Sequence, residues 1–448
     1  MAEKKRDNFV TKWGFIIACI GSAVGMGNIW LFPRRVAEFG APFLVAYLIC
    51  VLVIGFSGVV GEMTLGRHTG QGPLGAFETA TERLNGNKKI GGALSLIPVL
   101  GSFALAIGYS VVVGWIIKYV VGSFNGSILA LENGDAFGGY FGTMATGHAI
   151  VGWHIVALVI TFAIVIFGIA GGIERVNKVV MPLFFLMFIG VAIYVGNQSG
   201  AVEGYRYMFT SSDWGELKDM GMWKYALGQA FFSLSLAGSG TVVYGSYLKK
   251  DVDITYCAAN VALFDTLAAF VAALAIIPAM YTVGIDALDI ASMSGPGLLF
   301  ISLPMVFKSM PGGSIVMIVF FVAVLFAGIS SLINLFEAPI EAAQSKLKLK
   351  RGPAVLVVGT IGTVIAVLIE GIVSGWMDVC SIYICPIGAL LAAIMTFWVL
   401  KKEDIIAEIN LSTVKKWGEK IYPVGRYVFC GLVILVLVLG SLTQGGIG

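Results

Sequence analysis

Between Gly21 and Pro33 the chain reads GSAVGMGNIWLFP. Glycines at 21, 25 and 27, followed by Asn28 and Pro33, fall inside the first long apolar stretch, where a membrane helix should be closed. In hydrocarbon an unpaired N–H or C=O is so costly that a break persists only if groups inside the protein take up the freed backbone. The chemistry on offer is ion and head-group binding: freed carbonyls suit a cation, and the N-terminal end of a half-helix suits an anionic substrate group. Small residues at this spacing also let two membrane helices pack closely. A packing face requires neither Asn28 nor the proline, which favours the binding reading.

A second interruption, SLSLAGSG from Ser233 to Gly240, occurs five apolar segments later. Gly-interrupted segments at corresponding positions of two halves point to a site where half-helices meet near the middle of the bilayer. An odd number of segments separates the breaks, so the two halves have opposite orientations.

The elements that must position these breaks follow from composition. The 448 residues are 58% hydrophobic and 12% charged, with mean hydropathy +0.91. That excludes a soluble domain and leaves a polytopic membrane protein. Apolar segments fall at 13–35, 41–66, 91–122, 149–170, 178–197, 223–248, 254–283, 312–344, 353–374, 376–400 and 424–443. With a hydrocarbon core of roughly 30 Å, they supply about eleven spans.

The expected fold is all-α, with a single domain over 1–448. Residues 13–197 and 223–400 form inverted five-helix repeats with helices 1 and 6 broken, and 424–443 adds an eleventh span. Lysines and arginines cluster on alternate loops, as at 4–12, 67–89, 175–178, 249–250, 346–351 and 401–420. The positive-inside rule then puts the N-terminus in the cytoplasm and the C-terminus outside, across the cell's plasma (inner) membrane. No cleavable signal precedes the first span. Short, dispersed basic loops do not make a nucleic-acid surface. The six cysteines, 19, 50, 257, 380, 385 and 430, read as small membrane hydrophobes. The three histidines, 68, 148 and 154, have no metal-ligand spacing, and no nucleophile–base pair is visible, so no enzyme is expected.

GSAVGMGNIWLFP resembles the first-helix signature of the neurotransmitter:sodium symporter family, and similar stretches recur along most of the chain. The resemblance implies a bacterial-type, sodium-coupled amino-acid symporter working by alternating access, with two sodium ions and no obligatory oligomer. One sodium would be held by carbonyls of Gly21, Val24 and Ala327 and hydroxyls of Ser330 and Ser331, from FAGISS. Adjacent serines on an apolar helix otherwise bond to the backbone one turn back. The other sodium would use the Ala23 carbonyl, Asn28, Ser233 and the substrate carboxylate. Its segment-seven ligand is Asn260 or Asp265, with Asp265 preferred. An aspartate at that depth is costly unless paired or ion-bound. It also implies independence of chloride. Tyr47 and Gln229 match the surrounding pattern.

The same resemblance implies a substrate pocket. Amides near Gly25 and Gly27, with the Tyr109 hydroxyl, would hold the carboxylate. Amine-carrying relatives place an aspartate at the position of Gly25, so glycine leaves room for an amino acid's own carboxylate. Leu105, Phe232, Ser235, Gly238, Leu332 and Leu335 would line the side-chain end. Each apolar residue alone fits ordinary packing better, and only the ensemble argues for a pocket. Gly238 stands where an aromatic is usual, which implies a bulky apolar or aromatic amino acid.

The gates depart from the family. Leu31 replaces its outer arginine, and the acidic partner falls on Ser381, or on Asp378 in a slipped register. Arg34 or Arg35 could substitute, and Phe232 over Tyr109 could form an aromatic lid. On the inner side Arg6, Phe9, Ser246 and Tyr247 resemble the latch. Its acid falls on Ser345, leaving Glu337 or Glu341 to compensate. Gly172 and Pro182 resemble a motif that lets the inner half of segment five unwind; a plain proline kink is the alternative. Glu62, Gly66 and Arg67 match a structural corner. An ion-binding sensor or channel on the same scaffold is the alternative function, though no charged ring or filter loop supports it.

Overall fold

The computed structural model describes residues 8–210, 213–236 and 239–443, and these are helical almost throughout, with no strand among them. Helix α1 (Lys12–Ala23) starts where the Thr11 hydroxyl accepts the Gly14 amide, and stops at Val24, which turns extended at φ −70°, ψ 112°. Helix α2 (Gly27–Phe39) continues after a 55° bend, so the expected break in the first span is present. It ends at Gly40, whose φ of +66° strains any side chain.

Four helices are long, apolar and mostly buried: α3 (Ala41–Thr69), α4 (Lys88–Phe124), and later α9 (Ile254–Tyr281) and α10 (Gly313–Lys346). Between them lie α5 (Val151–Val165), α6 (Ile169–Gly196), α7 (Met220–Ser233) and α8 (Gly240–Ser246). The chain closes with α11 (Arg351–Ile369), α12 (373–399), α13 (Lys402–Ile409) and α14 (Gly418–Ser441).

Burial sorts them into two layers. The apolar windows of α3, α4, α9 and α10 are 67–72% buried, whereas those of α6, of 351–399 and of α14 are 28%, 39% and 33%. The first group packs as an inner bundle, and the second presents its apolar faces outward.

By length and composition, seven described helices could cross a membrane, or eight with the bent α1–α2 pair. The difference from the expected eleven segments has physical causes. The second interruption divides segment six into α7 of 14 residues and α8 of seven, neither long enough alone. Helix α5 has 15 residues. The segments expected at 353–374 and 376–400 run together over 49 residues, interrupted by the single turn Glu370–Ile372. Such a run is more than twice the roughly 20 residues one span needs.

Neighbouring ends of several helices are tied by one carboxylate. Glu408 on α13 accepts from Arg67 Nε at 2.6 Å and from Lys250 Nζ at 2.8 and 2.9 Å. Arg67 also donates to the carbonyls of Glu408 and Val252. Gly66 permits the approach of α8, since a Cβ there would lie 2.0 Å from the Val242 carbonyl oxygen.

Burial would raise the Glu408 pKa, but hydrogen bonds from His68 and Lys250 and the charge of Arg67 outweigh it and hold it at about 2, below the ordinary 4.5. A depressed carboxylate contributes stability that is complete above pH 4.5 and fades as pH falls toward 2. Glu408→Ala is expected to cost about 3–5 kcal/mol, because it leaves the buried Arg67 unpaired. Thermal unfolding in detergent should show the loss at pH 7, and the difference from the parent should narrow as the buffer is acidified below pH 4.5.

Candidate functional site

The interruption at Val24–Met26 frees backbone groups, and side chains from four other places answer them. The Gly25 amide donates to Asn28 Oδ1 at 2.9 Å, and the Met26 amide donates to the Tyr109 hydroxyl on α4 at 3.3 Å. Gln229 on α7 donates to the Gly27 carbonyl at 2.9 Å. Ser331 on α10 lies 2.9 Å from the Val24 carbonyl oxygen and 3.4 Å from those of Gly21 and Ser22. One hydroxyl proton cannot serve three carbonyls, so this point is rich in neutral oxygen, as a hard cation requires.

Ser330 donates to its own Ala327 carbonyl at 3.0 Å and adjoins Gly21, where a Cβ would approach its own Cβ to 3.1 Å. The residues expected at this sodium, Gly21, Val24, Ala327, Ser330 and Ser331, thus lie on two facing helix segments, with the Ser22 carbonyl added.

The second expected set gathers around Asp265, which is fully buried. Asn28 Nδ2 lies 2.8 Å from its Oδ1, 3.1 Å from its carbonyl and 3.0 Å from Ser233 Oγ. The Ser233 hydroxyl donates to the carboxylate at 2.8–2.9 Å, and Tyr47 donates to Oδ2 at 3.3 Å. Among the described residues no lysine, arginine or histidine pairs with Asp265. A buried carboxylate held only by neutral donors calls for a cation or a proton. Asn260 is elsewhere: half-buried, it donates to Tyr256 of its own helix at 2.8 Å. Ala23 borders the adjoining pocket.

That pocket, of about 40 Å³, lies between the two clusters and is bordered by Ala23, Gly25, Gly27, Leu105, Tyr109, Phe232, Ser233, Ser235 and Leu335, all expected. Ser22, Met26, Ser331 and Asn334 border it as well; the sequence reading did not place them there. Leu332 is wholly buried and does not border the pocket, because its place on α10 turns it from the face that Ser331 and Leu335 share. Gly238 lies outside the described residues. Ser235, at φ +56°, donates to the Ser22 carbonyl at 2.7 Å and so joins the two interrupted segments.

Met26, Tyr109 and Phe232 also border a larger cavity of about 290 Å³, so these three side chains form the partition between the two. Leu31 and Ser381 face the larger cavity, and so do Arg34 and Asp378. Arg34 donates to the Ala291 carbonyl at 3.2 Å. Arg35 is turned away, paired with Glu38 and stacked 3.4 Å from the Tyr225 ring centre.

At the opposite end Phe9 is buried against Phe15 and Tyr244, with ring centres 5.2 and 5.5 Å apart. Arg6 lies outside the described residues. Tyr247 donates to Glu337 at 3.0 Å, and Arg351 grips Glu337 with both terminal nitrogens at 2.9 and 2.7 Å. Ser246 and Ser345 donate to carbonyls one turn back. Glu341 accepts from the Gly72 amide.

The sequence reading missed Glu174 on α6, which accepts from the Val10 amide at 2.7 Å, the Thr11 hydroxyl at 3.0 Å and Lys178 at 2.6 Å. No signal in the sequence pairs the two; in the structure Gly14 leaves room for the carboxylate, since a Cβ there would lie 1.9 Å from Glu174. Helix α6 opens irregularly over Ile169–Glu174 and carries Pro182 inside it.

A sequence model described as the Sodium:neurotransmitter symporter family matches residues 6–134 and 144–444. The chain is similar to an uncharacterized sodium-dependent transporter of Bacillus subtilis, 30% identical over all of this chain and 99% of the relative. It is equally similar to one of Methanocaldococcus jannaschii, 30% identical over 99% of this chain and 93% of the relative. Among solved structures it resembles that of MhsT in complex with L-phenylalanine, with TM-score 0.85 and 33% identity over 97% of this chain and 100% of that one.

Glu174→Gln keeps the shape but removes the charge that strengthens bonds to Val10 and Thr11, worth about 1.5–3 kcal/mol. Amide hydrogen exchange at 9–12 should rise at least about tenfold relative to the core of α10; unchanged exchange there would show that the N-terminal segment is held by other contacts.

Proposed function

The chain belongs to the sodium:neurotransmitter symporter family, a family of sodium-dependent transporters, and from that premise we propose that it carries a hydrophobic or aromatic amino acid together with sodium. The observation that carries the reading is the pocket flanked on one side by the Ser331 carbonyl cluster and on the other by Asp265, Asn28 and Ser233. One sodium sits among Gly21, Val24, Ala327, Ser330 and Ser331. The other sits with Ala23, Asn28, Ser233 and Asp265, completed by the substrate carboxylate, which makes ion and substrate mutually dependent. Asp265 supplies the negative charge, so chloride is not required.

The substrate carboxylate lies against the Gly25 and Met26 amides and Tyr109. L-Phenylalanine in the MhsT structure and the apolar borders Leu105, Phe232 and Leu335 support a bulky side chain. The two halves, 13–197 and 223–400, move as inverted repeats about this point in the plasma membrane, with the N-terminus cytoplasmic. Arg34 and Asp378 stand three residues from Leu31 and Ser381 respectively, about one helical turn, and form the outer ion pair when the larger cavity closes. A sensor or channel on this scaffold would bind sodium without accumulating substrate.

Uptake of labelled L-phenylalanine into proteoliposomes is expected to require sodium and to survive replacement of chloride by gluconate. Uptake that is unchanged when choline replaces sodium sinks the coupling. Ser331→Ala should raise the sodium concentration for half-maximal uptake by at least about tenfold, as loss of one ligand to a charge is worth about 1.5–3 kcal/mol. Gly25→Ala places a Cβ 2.9 Å from both Ser331 Oγ and the Tyr109 hydroxyl. It should weaken phenylalanine binding by about 1–3 kcal/mol, read by isothermal titration in saturating sodium.

A further inference from the structure

A buried polar cluster unused by the transport reading begins at Ser110, beside Tyr109. Ser110 Oγ is 2.8 Å from His154 Nε2, His154 Nδ1 is 2.8 Å from Glu370 Oε1, and Glu370 Oε2 is 3.4 Å from His148 Nδ1. The residues come from α4, α5, the turn after α11 and the segment before α5. Ser110 and His154 are wholly buried and Glu370 nearly so, whereas 62% of the His148 side chain is exposed. Serine, histidine and acid in this order suggest a nucleophile, but neither the 40 Å³ nor the 290 Å³ cavity reaches Ser110. What the cluster can exchange is a proton.

Hydrogen-bond accounting fixes how many protons the geometry holds. Ser110 Oγ is also 2.6 Å from the Ile107 carbonyl oxygen, which can only accept, so the single hydroxyl proton is committed there. His154 Nε2 must then donate to Ser110. The contact between Nδ1 and Glu370 requires a second proton, whichever atom carries it. The pair thus holds one proton more than a neutral imidazole beside a carboxylate, and its net charge is zero.

We propose that Ser110, His154 and Glu370 form a proton-binding site, open to water at His148, whose occupancy sets the hydrogen bonding of α4 at Tyr109 and thereby the affinity of the neighbouring pocket. When one proton leaves to water, the remaining imidazole proton must face the Glu370 carboxylate. Nε2 becomes an acceptor, and the Ser110 hydroxyl turns to it and releases the Ile107 carbonyl. A serine bonded to the preceding turn bends a helix, so this exchange changes α4 immediately before Tyr109, whose hydroxyl holds the Met26 amide at the interruption.

The ionisable groups on the elements packed against α5 are engaged elsewhere. On α4, Lys118 lies over the Tyr140 ring, Tyr119 donates to the Phe300 carbonyl, and Lys88 and Lys89 begin the helix. On α10, Glu337 pairs with Arg351, which also donates to Val165 at the far end of α5; Glu341 takes the Gly72 amide and Lys346 pairs with Glu78. Glu174 on α6 holds Val10 and Thr11, and Asp378 on α12 faces the larger cavity. Among the described residues, Glu370 is the one charged partner that His154 has.

The chain has three histidines, so labelling them with ¹⁵N in lipid nanodiscs gives a small set of ring signals. His154 is expected to change protonation between about pH 5 and 9, with the midpoint displaced in Glu370→Gln. The ¹⁵N amide signal of Tyr109, identified with Tyr109→Phe, should follow that transition, and Ser110→Ala should uncouple the two. With L-phenylalanine as the probe in saturating sodium, the dissociation constant should rise about fivefold from the loaded to the unloaded state. His154→Gln, which keeps both hydrogen-bonding ends without titrating, should flatten that profile. A His154 signal that is constant over this range, or a Tyr109 signal that ignores its titration, overturns the proposal. The functional half rests on the transport reading: phenylalanine that never binds defeats that reading, while the histidine and tyrosine signals still decide the proton site.

Discussion

The structure depends on the hydrogen bonds that close the gap between α1 and α2. Inside a bilayer there is no water to accept an orphaned amide or carbonyl, so the break at Val24–Met26 is possible only with partners brought from other helices. Tyr109 comes from α4, Gln229 from α7 and Ser331 from α10, and each bonds to backbone rather than to a side chain. Those obligations explain the layering. The two long helices that carry a partner, α4 and α10, are mostly buried, whereas α6, α11, α12 and α14 leave apolar faces outward.

The two polar clusters beside the pocket differ in field strength. Around Ser331 every oxygen belongs to a neutral carbonyl or hydroxyl. Around Asp265 a formal charge is held by Asn28, Ser233 and Tyr47 alone. A cation entering the first cluster gains coordination without neutralising anything; one entering the second removes a buried uncompensated charge. Under the transport reading this asymmetry makes the Asp265 position the more sensitive to a proton competing for the same carboxylate.

Much of this was legible in the sequence because it is local. Three glycines, Asn28 and the paired serines occupy fixed places in single segments, and period and composition place those segments in the membrane. The missed contacts are long-range. Glu174 meets Val10 across 164 positions and Glu370 meets His154 across 216, and neither pairing leaves a periodic trace. Hydropathy reads apolar segments but not the interruptions within them: 223–248 reads as one segment where the structure has α7 and α8, and 353–374 and 376–400 read as two where the structure has one helical run with a turn at Glu370–Ile372. Asp265 rather than Asn260 is a matter of helix phase, since five residues turn a side chain well away from the face it shares with Asn28.

The small size of the inner pocket bears on how it could work. About 40 Å³ has room for little more than one or two water molecules. Under the transport reading an amino acid fits only if the interrupted segments move apart, and the seam is crossed by Ser235 to the Ser22 carbonyl, Ser22 to the Ser235 hydroxyl, Gln229 to the Gly27 carbonyl and Asn28 to the Ser233 hydroxyl. Each neutral hydrogen bond is worth about 0.5–1.5 kcal/mol net, so parting all of them costs about 2–6 kcal/mol, within what a micromolar ligand returns. The partition of Met26, Tyr109 and Phe232 faces the same event from its other side, because Met26 and Tyr109 are bonded to each other at the break. Widening the pocket and opening it to the larger cavity therefore draw on one set of bonds. A guest that supplies its own carboxylate to the Gly25 and Met26 amides replaces the bonds it displaces, which makes entry close to neutral in hydrogen-bond number and leaves side-chain fit to decide affinity.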